Sequence, residues 1–363
     1  MTRNELQEAA ARRLQSSKRL ICQWATGTGK TNVALKFIQN NPDLSCLVLV
    51  PEQDNIKNWQ DEFVKFNVPQ TNVTIICYAS LHKYKNSFFD FLVFDEVPHV
   101  DTEKRTAICR SIRGEYILAL GAVVTEDERA TLEMVYGKFD HSIITIPRAI
   151  ELGFLPAPTV HILHLEMDNE KREHWYKGRA LTEKELYAVL TQKVENSVSA
   201  YNNNASKLNK RRMLSAGSER KRFLGARKEE AMKAICSILE KRQKRFICFC
   251  SSIKQAEALG KDNAYTSKSQ KSMAHLERFN NHEINSLYVV GKLIEGQNLN
   301  DIDCGVIGQL GGTQRITVQE LGRIFRSENP EVFIPVFDDT KDDSFLYTLT
   351  SSVPADYIKH HNF

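Results

Sequence analysis

Short apolar runs alternate with amphipathic stretches along the chain from residue 19 onward. The runs are Arg19–Trp24, Leu47–Val50, Val73–Tyr78, Phe91–Asp95, Tyr116–Gly121 and Ile143–Ile146. Helix-like segments lie between them, among them Thr31–Asn40 and Glu52–Phe66. A strand buried on both faces needs apolar residues at successive positions, whereas a half-exposed strand alternates. Continuous short runs separated by helices therefore predict parallel strands inside an α/β sheet. The pattern breaks at Gly153-Phe154-Leu155-Pro156-Ala157-Pro158, where two prolines mark a crossing into a second unit. The expected domains are residues 1–153 and 154–363.

The second unit opens with a strand-like Thr159–Glu166 and then reads as polar and helical over about 168–243, with Asn202–Asn204 as a turn or loose tip. Strand signals return at Arg245–Ser251, Leu287–Gly291, Gly305–Gly308 and Val332–Phe337. This predicts a second α/β sheet carrying a helical insertion.

Composition narrows the class. The chain has 363 residues, 42% of them hydrophobic and 26% charged, which suits two ordinary domains and excludes a disordered chain. The longest apolar runs fall far short of the ~20 residues of a membrane span. Arg3, Glu5, Arg12 and Arg13 surround an alanine-rich start that lacks the apolar core of a secretory signal. Eight scattered cysteines form no CxxC pair and no Cys/His set at zinc spacing, so reduced core thiols in a cytosolic compartment are expected. The formal charge is only +4, yet fourteen Lys and Arg face four Glu between Lys207 and Arg245. Such segregation is either a solvated helix face or the footprint of a polyanion.

Three segments carry chemistry. Ala25-Thr26-Gly27-Thr28-Gly29-Lys30-Thr31 follows a predicted strand and precedes a predicted helix. In that context glycines let backbone N–H groups wrap a phosphate, Lys30 reaches the β/γ oxygens, and the Thr31 hydroxyl is placed to hold Mg²⁺. The general pattern has Gly at the entrance, where this chain has Trp24. Further on, the apolar strand Phe91–Phe94 ends in Asp95-Glu96. Asp95 is positioned for the metal and Glu96 for the water that attacks the γ-phosphate. In the second unit, Gln319-Glu320-Leu321-Gly322-Arg323-Ile324-Phe325-Arg326 puts two arginines three apart on one helix face, both able to meet an anionic ligand.

The ordered set resembles the superfamily-2 helicases and translocases, particularly the branch of restriction-enzyme motor subunits and phage recombination helicases. Arg3, Leu6 and Gln7 look like the adenine-reading motif that precedes the phosphate loop, and 25–31 matches the loop itself. Val48–Pro51 and Tyr78-Ala79-Ser80-Leu81 resemble the next two motifs. Asp95-Glu96-Val97-Pro98-His99 is similar to the DExH box. Leu118–Val123 stands where the family usually ends on Thr or Ser, and Val123 lacks that hydroxyl. Arg148–Leu155 resembles the segment leading into the second domain. Phe246–Ser252 looks like motif IV, Glu295-Gly296-Gln297-Asn298-Leu299 like motif V with Asn298 for the common Asp, and Gln319, Gly322, Arg323 and Arg326 match motif VI.

The resemblance implies two tandem RecA-like parallel-sheet domains with a helical, basic insertion in the second. It implies an ATPase using Mg²⁺ held by Thr31 and Asp95, with Glu96, Asp95, Lys30, Gln319, Arg323 and Arg326 catalytic. Nucleotide contacts would come from Arg3, Gln7, Thr26, Gly27, Thr28, Gly29, Lys30, Thr31, Gly296 and Asn298. Gln7 favours adenine, hence ATP. Ser80, Ser251 and Ser252 would hold phosphates of one DNA strand, joined by Arg211, Arg212, Lys221 and Arg222 of the basic insertion. RNA as the track and a nucleotide-gated clamp without unwinding are the alternatives. A nuclease fusion is disfavoured, because the two motor domains consume the chain.

Overall fold

The computed structural model describes residues 1–97, 106, 109–266, 272–290, 299, 301–309, 324, 327–350 and 353–363. Two compact units divide after Ala157. The first runs α1 (Arg3–Ser17), β1 (Arg19–Trp24), α2 (Thr31–Asn40), β2 (Cys46–Val50), α3 (Gln53–Lys65), β3 (Val73–Cys77), a 3-10 stretch Tyr78–Tyr84, β4 (Phe88–Asp95), β5 (Arg113–Gly121), α4 (Glu126–Tyr136), β6 (Asp140–Ile144) and α5 (Ile146–Glu151). Its six strands lie in the order β3-β2-β4-β5-β1-β6, every pair parallel. Leu47, Leu49, Leu92, Phe94, Ile117 and Ala119 form the centre of its core. The run Ile143–Ile146 is not one strand: β6 ends at Ile144, and Thr145 caps a helix carrying Pro147 in its first turn. Proline there has no N–H to lose and a preset φ, so it starts the helix instead of extending the sheet.

The second unit holds β7 (Thr159–Leu165), a hairpin of β8 (His174–Tyr176) and β9 (Arg179–Leu181), then α6 (Glu183–Asn203), α7 (Lys207–Arg227) and α8 (Glu229–Lys241). There follow β10 (Phe246–Cys250), α9 (Ile253–Gly260), β11 (Ala264–Tyr265), α10 (Ser272–Asn280), β12 (Ser286–Val290), β13 (Cys304–Ile307), β14 (Glu331–Phe337), α11 (Lys341–Thr350) and β15 (Ile358–Asn362). The seven-stranded sheet has the order β11-β12-β10-β13-β14-β7-β15 and is again parallel throughout.

The stretch 168–243 is more than a polar helical insertion. It contains the β8–β9 hairpin, and α8 buries Met232, Ile235, Cys236 and Leu239 in the core over β10 and β13. Those four recur at helical spacing, so α8 is a layer of the sheet domain. Only α6 and α7 make up the helical excursion. Asn202–Asn204 is no loose tip either. Asn209 Nδ2 donates to the carbonyls of Ala200 and Asn204, and Ser206 caps α7, which fastens the turn. Among the described residues no helix is long and apolar enough to cross a membrane.

Candidate nucleotide site in the first unit

β1, β5 and β4 are neighbours, so their carboxyl ends stand side by side, with Gln23 opposite Gly121 and Asp95 opposite Leu120. In an open parallel sheet that edge is where ligands bind. The loop after β1 leads into α2 through two left-handed glycines, Gly27 (φ 86°) and Gly29 (φ 84°). The left-handed backbone at Gly29 favours glycine, and a Cβ there would lie 2.4 Å from Gln7 Nε2 and displace that amide. Trp24 is tolerated at the loop entrance because it is still part of β1. Its ring is fully buried with Nε1 donating to Ser142 Oγ at 2.9 Å, and its carbonyl accepts from Lys30 Nζ at 3.0 Å.

The loop suits an anion. No side chain caps the N-terminus of α2 and its first turn holds no acidic residue, leaving helix N–H groups and the dipole's positive end. Thr26 Oγ1 is buried with no hydrogen-bond partner. Thr28, by contrast, is turned inward, its hydroxyl donating to the Ala25 carbonyl at 2.7 Å. Thr31 is the first residue of α2. Gln7 is buried and its amide donates to the Gly29 carbonyl at 3.1 Å, bracing the loop from α1. Arg3 lies over the Phe154 ring, 5.6 Å from its centroid, and donates to the Phe154 carbonyl.

Asp95 closes β4. Its Oδ2 accepts from Trp59 Nε1 at 2.8 Å, and its carbonyl accepts from the Tyr78 hydroxyl at 2.9 Å. Burial pushes its carboxyl up to about 6 and the adjacent Glu96 charge adds to this, while the Trp59 bond and the nearby Lys30 ammonium pull it down. Glu96 sits at φ 52°, a left-handed position that lets the chain turn sharply at the strand end. Val97 is fully buried and anchors that turn. Trp59 and Tyr78 escaped the sequence reading as site residues. The available signal was that a buried indole N–H needs an acceptor. No three His, Cys, Asp or Glu side chains among the described residues form a metal cage. Mg²⁺ needs none, since one or two carboxylates with phosphates and water complete its octahedron.

Ser80 is half-exposed on the 3-10 stretch after β3. In the second unit Ser251 donates its hydroxyl to Gln255 Oε1 at 2.8 Å, and the Ser252 hydroxyl accepts from Gln255 N as the cap of α9. Both hydroxyls thus shape the β10–α9 turn, with Gln255 as its buried hub. Arg211, Arg212 and Arg222 are exposed on α7, and Lys221 Nζ lies 6.0 Å from the Phe345 ring centroid. The charge count for this stretch overstates its surface. Lys228 is fully buried against Asp342 at 2.7 Å, and Arg245 is buried over Phe279. His99, Gly296, Asn298, Gln319, Gly322, Arg323 and Arg326 lie outside the described residues.

Two tandem parallel sheets, the first with a phosphate-type loop beside an acidic strand end, make up a fold shared with solved helicase and restriction-enzyme structures. The sequence comparisons point the same way. Residues 1–80 match the family described as type III restriction enzyme, res subunit. The chain is 22% identical over 354 residues to the DNA 3'-5' translocase XPB2 of Sulfurisphaera tokodaii, covering 91% of this chain and 80% of that protein. It resembles the crystal structure of the Pyrococcus furiosus Hef helicase domain with a TM-score of 0.55 at 14% identity, over 94% of this chain and 97% of that one. It also resembles the ATP-dependent type ISP restriction-modification enzyme LlaBIII bound to DNA, with a TM-score of 0.60 at 14% identity, over 99% of this chain and 31% of that one.

Proposed function

We propose that the protein is an ATP-dependent DNA translocase or helicase whose hydrolytic centre is built on the carboxyl ends of β1 and β4. The observation that carries this reading is the uncapped N-terminus of α2, with the orphaned Thr26 hydroxyl and Lys30 beside it and the half-buried Asp95 within electrostatic reach. The loop N–H groups and Lys30 would bind phosphate oxygens, and Gln7 stiffens the loop that presents them. Thr31 and Asp95 would hold Mg²⁺, which neutralises phosphate charge when bound. Trp59 fixes the orientation of the Asp95 carboxylate. Glu96 accepts the proton of the attacking water. Gln319, Arg323 and Arg326 are assigned charge neutralisation by the resemblance of their segment alone. DNA is favoured as the track by the translocase likeness, and the exposed α7 arginines would add sequence-independent phosphate contacts.

Steady-state ATP hydrolysis by wild type and Glu96→Gln, without nucleic acid and with single-stranded DNA, branched DNA or RNA, tests the proposal. The expected result is stimulation by DNA and a rate about 10²- to 10⁴-fold lower in Glu96→Gln. Stimulation by RNA alone would replace the track. Absent hydrolysis with nucleotide-dependent DNA binding intact would replace the motor with a clamp.

A further inference from the structure

The last strand of the second sheet is held by very little apolar surface. β15 runs parallel to β7, Ile358 pairing with Val160 through to Asn362 with His164, yet Ile358 is only half-buried and Lys359–Asn362 are exposed. Four imidazoles supply the missing hold. Consecutive strand residues alternate faces, so His360 and His361 lie on opposite sides of the sheet, as do His161 and His164 on β7. One histidine pair closes on each face. His164 Nε2 meets His360 Nδ1 at 2.8 Å, and His161 Nδ1 meets His361 Nε2 at 2.9 Å.

Both pairs have a carboxylate behind the β7 ring. Asp338 Oδ1 is 2.6 Å from His164 Nδ1, and Glu331 Oε2 is 3.6 Å from His161 Nε2. An ionised carboxylate only accepts, so the proton of neutral His164 belongs on Nδ1, and Nε2 is left to accept from His360. A first added proton is tolerated, because His164 then donates from both nitrogens and His360 becomes the acceptor. A second is not. Both facing nitrogens would carry hydrogen, and two cations would meet with no lone pair between them. The same holds for His161 and His361, where the Phe333 ring stacks on His161 at 4.6 Å. Burial first, then His361 and Lys359, hold the His161 ring below its ordinary pKa against the pull of Glu331. At the other pair the facing charge is Asp338, whose field also reaches Asp343.

We propose that β15 is an acid-released strand: it stays on β7 while each histidine pair carries at most one proton, and it leaves when both rings of a pair are protonated. Detached rings take protons near the ordinary value of about 6.5. Below that pH the released state therefore binds more protons than the docked one, and docking is lost as pH falls. Release bares the outer edge of β7, a row of N–H and C=O groups able to pair with another strand.

Hydrogen exchange read by mass spectrometry on the full chain, corrected for the pH dependence of the intrinsic chemical rate, follows the opening of β15 between about pH 7.5 and 5. One extra proton per pair makes two, so the opening constant should grow by up to about 100-fold per pH unit below about 6. β10, in the interior of the same sheet, should stay protected. His360→Asn combined with His361→Asn keeps hydrogen-bonding groups without a titrating ring and should flatten the response. Either substitution alone leaves one pair and should retain about tenfold per unit. Unchanged protection of β15 across the range, loss of β10 protection in step with β15, or a full response in the double variant would overturn the proposal. If the double variant no longer docks at pH 7.5, the single variants decide, and a slope equal to wild type in both overturns it.

Discussion

Asp95, the proposed metal ligand, sits where its negative charge is unfavourable to folding. With a folded carboxyl at about 6 against an ordinary 3.8, the native state binds more protons than the unfolded chain between those values. Stability from this group is therefore lost as pH rises through about 6. Asp95→Asn, which keeps the shape and an acceptor for Trp59, should raise the melting temperature at pH 8 in the absence of Mg²⁺ and nucleotide. That gain should fade towards pH 4, and equal gains at both pH values would contradict it. The same substitution should abolish ATP hydrolysis, a trade of activity against stability at one position. The strand end that carries Asp95 was legible, because a continuous apolar run followed by two carboxylates marks a buried strand and its exit. Trp59 was not. On an amphipathic helix a tryptophan reads as core, and sequence does not say which acceptor its N–H meets. Gln7 was expected to read adenine, whereas its bond to the Gly29 carbonyl, which depends on how α1 is laid beside the loop, was not legible.

Helices with a clear amphipathic period were the easiest elements to read: α2 has the expected bounds although no side chain caps it, and α3 lies between its capping residues Glu52 and Phe66. Elements stabilised by distant partners were not. β15 has a single half-buried apolar residue, Ile358, and exists because β7 offers an edge. Hydrogen bonds of 2.9 Å between His161 and His361 and 2.8 Å between His164 and His360 bind the two strands. Lys228 likewise reads as one more cation in a basic run, yet it is the fully buried tie between the α7–α8 junction and Asp342 of α11. Removing one member of such a pair leaves the other charge buried and uncompensated. Lys228→Met is thus expected to cost about 3–5 kcal/mol in urea unfolding. Lys228→Met combined with Asp342→Asn should recover much of that loss. A single substitution within 1 kcal/mol of wild type, about the size of an exposed pair, would refute the buried tie.

Over the whole molecule, the order of apolar runs was enough to give two parallel sheets, because burial on both faces leaves an unmistakable trace in sequence. Charge was less informative: it located the basic stretch but did not separate the exposed α7 arginines from Lys228 and Arg245. The eight cysteines have a consequence of their own. All are buried thiols, four in the first unit (22, 46, 77 and 109) and four in the second (236, 248, 250 and 304). Burial raises Cys22 and Cys304 to about 12, so at neutral pH they are protonated and poor nucleophiles. Each then works as a chemical clock that starts only when its surroundings open. Under mild denaturant, a thiol reagent followed by intact mass should add labels in blocks of four if the halves open as separate cooperative units, and in one block of eight if they open together.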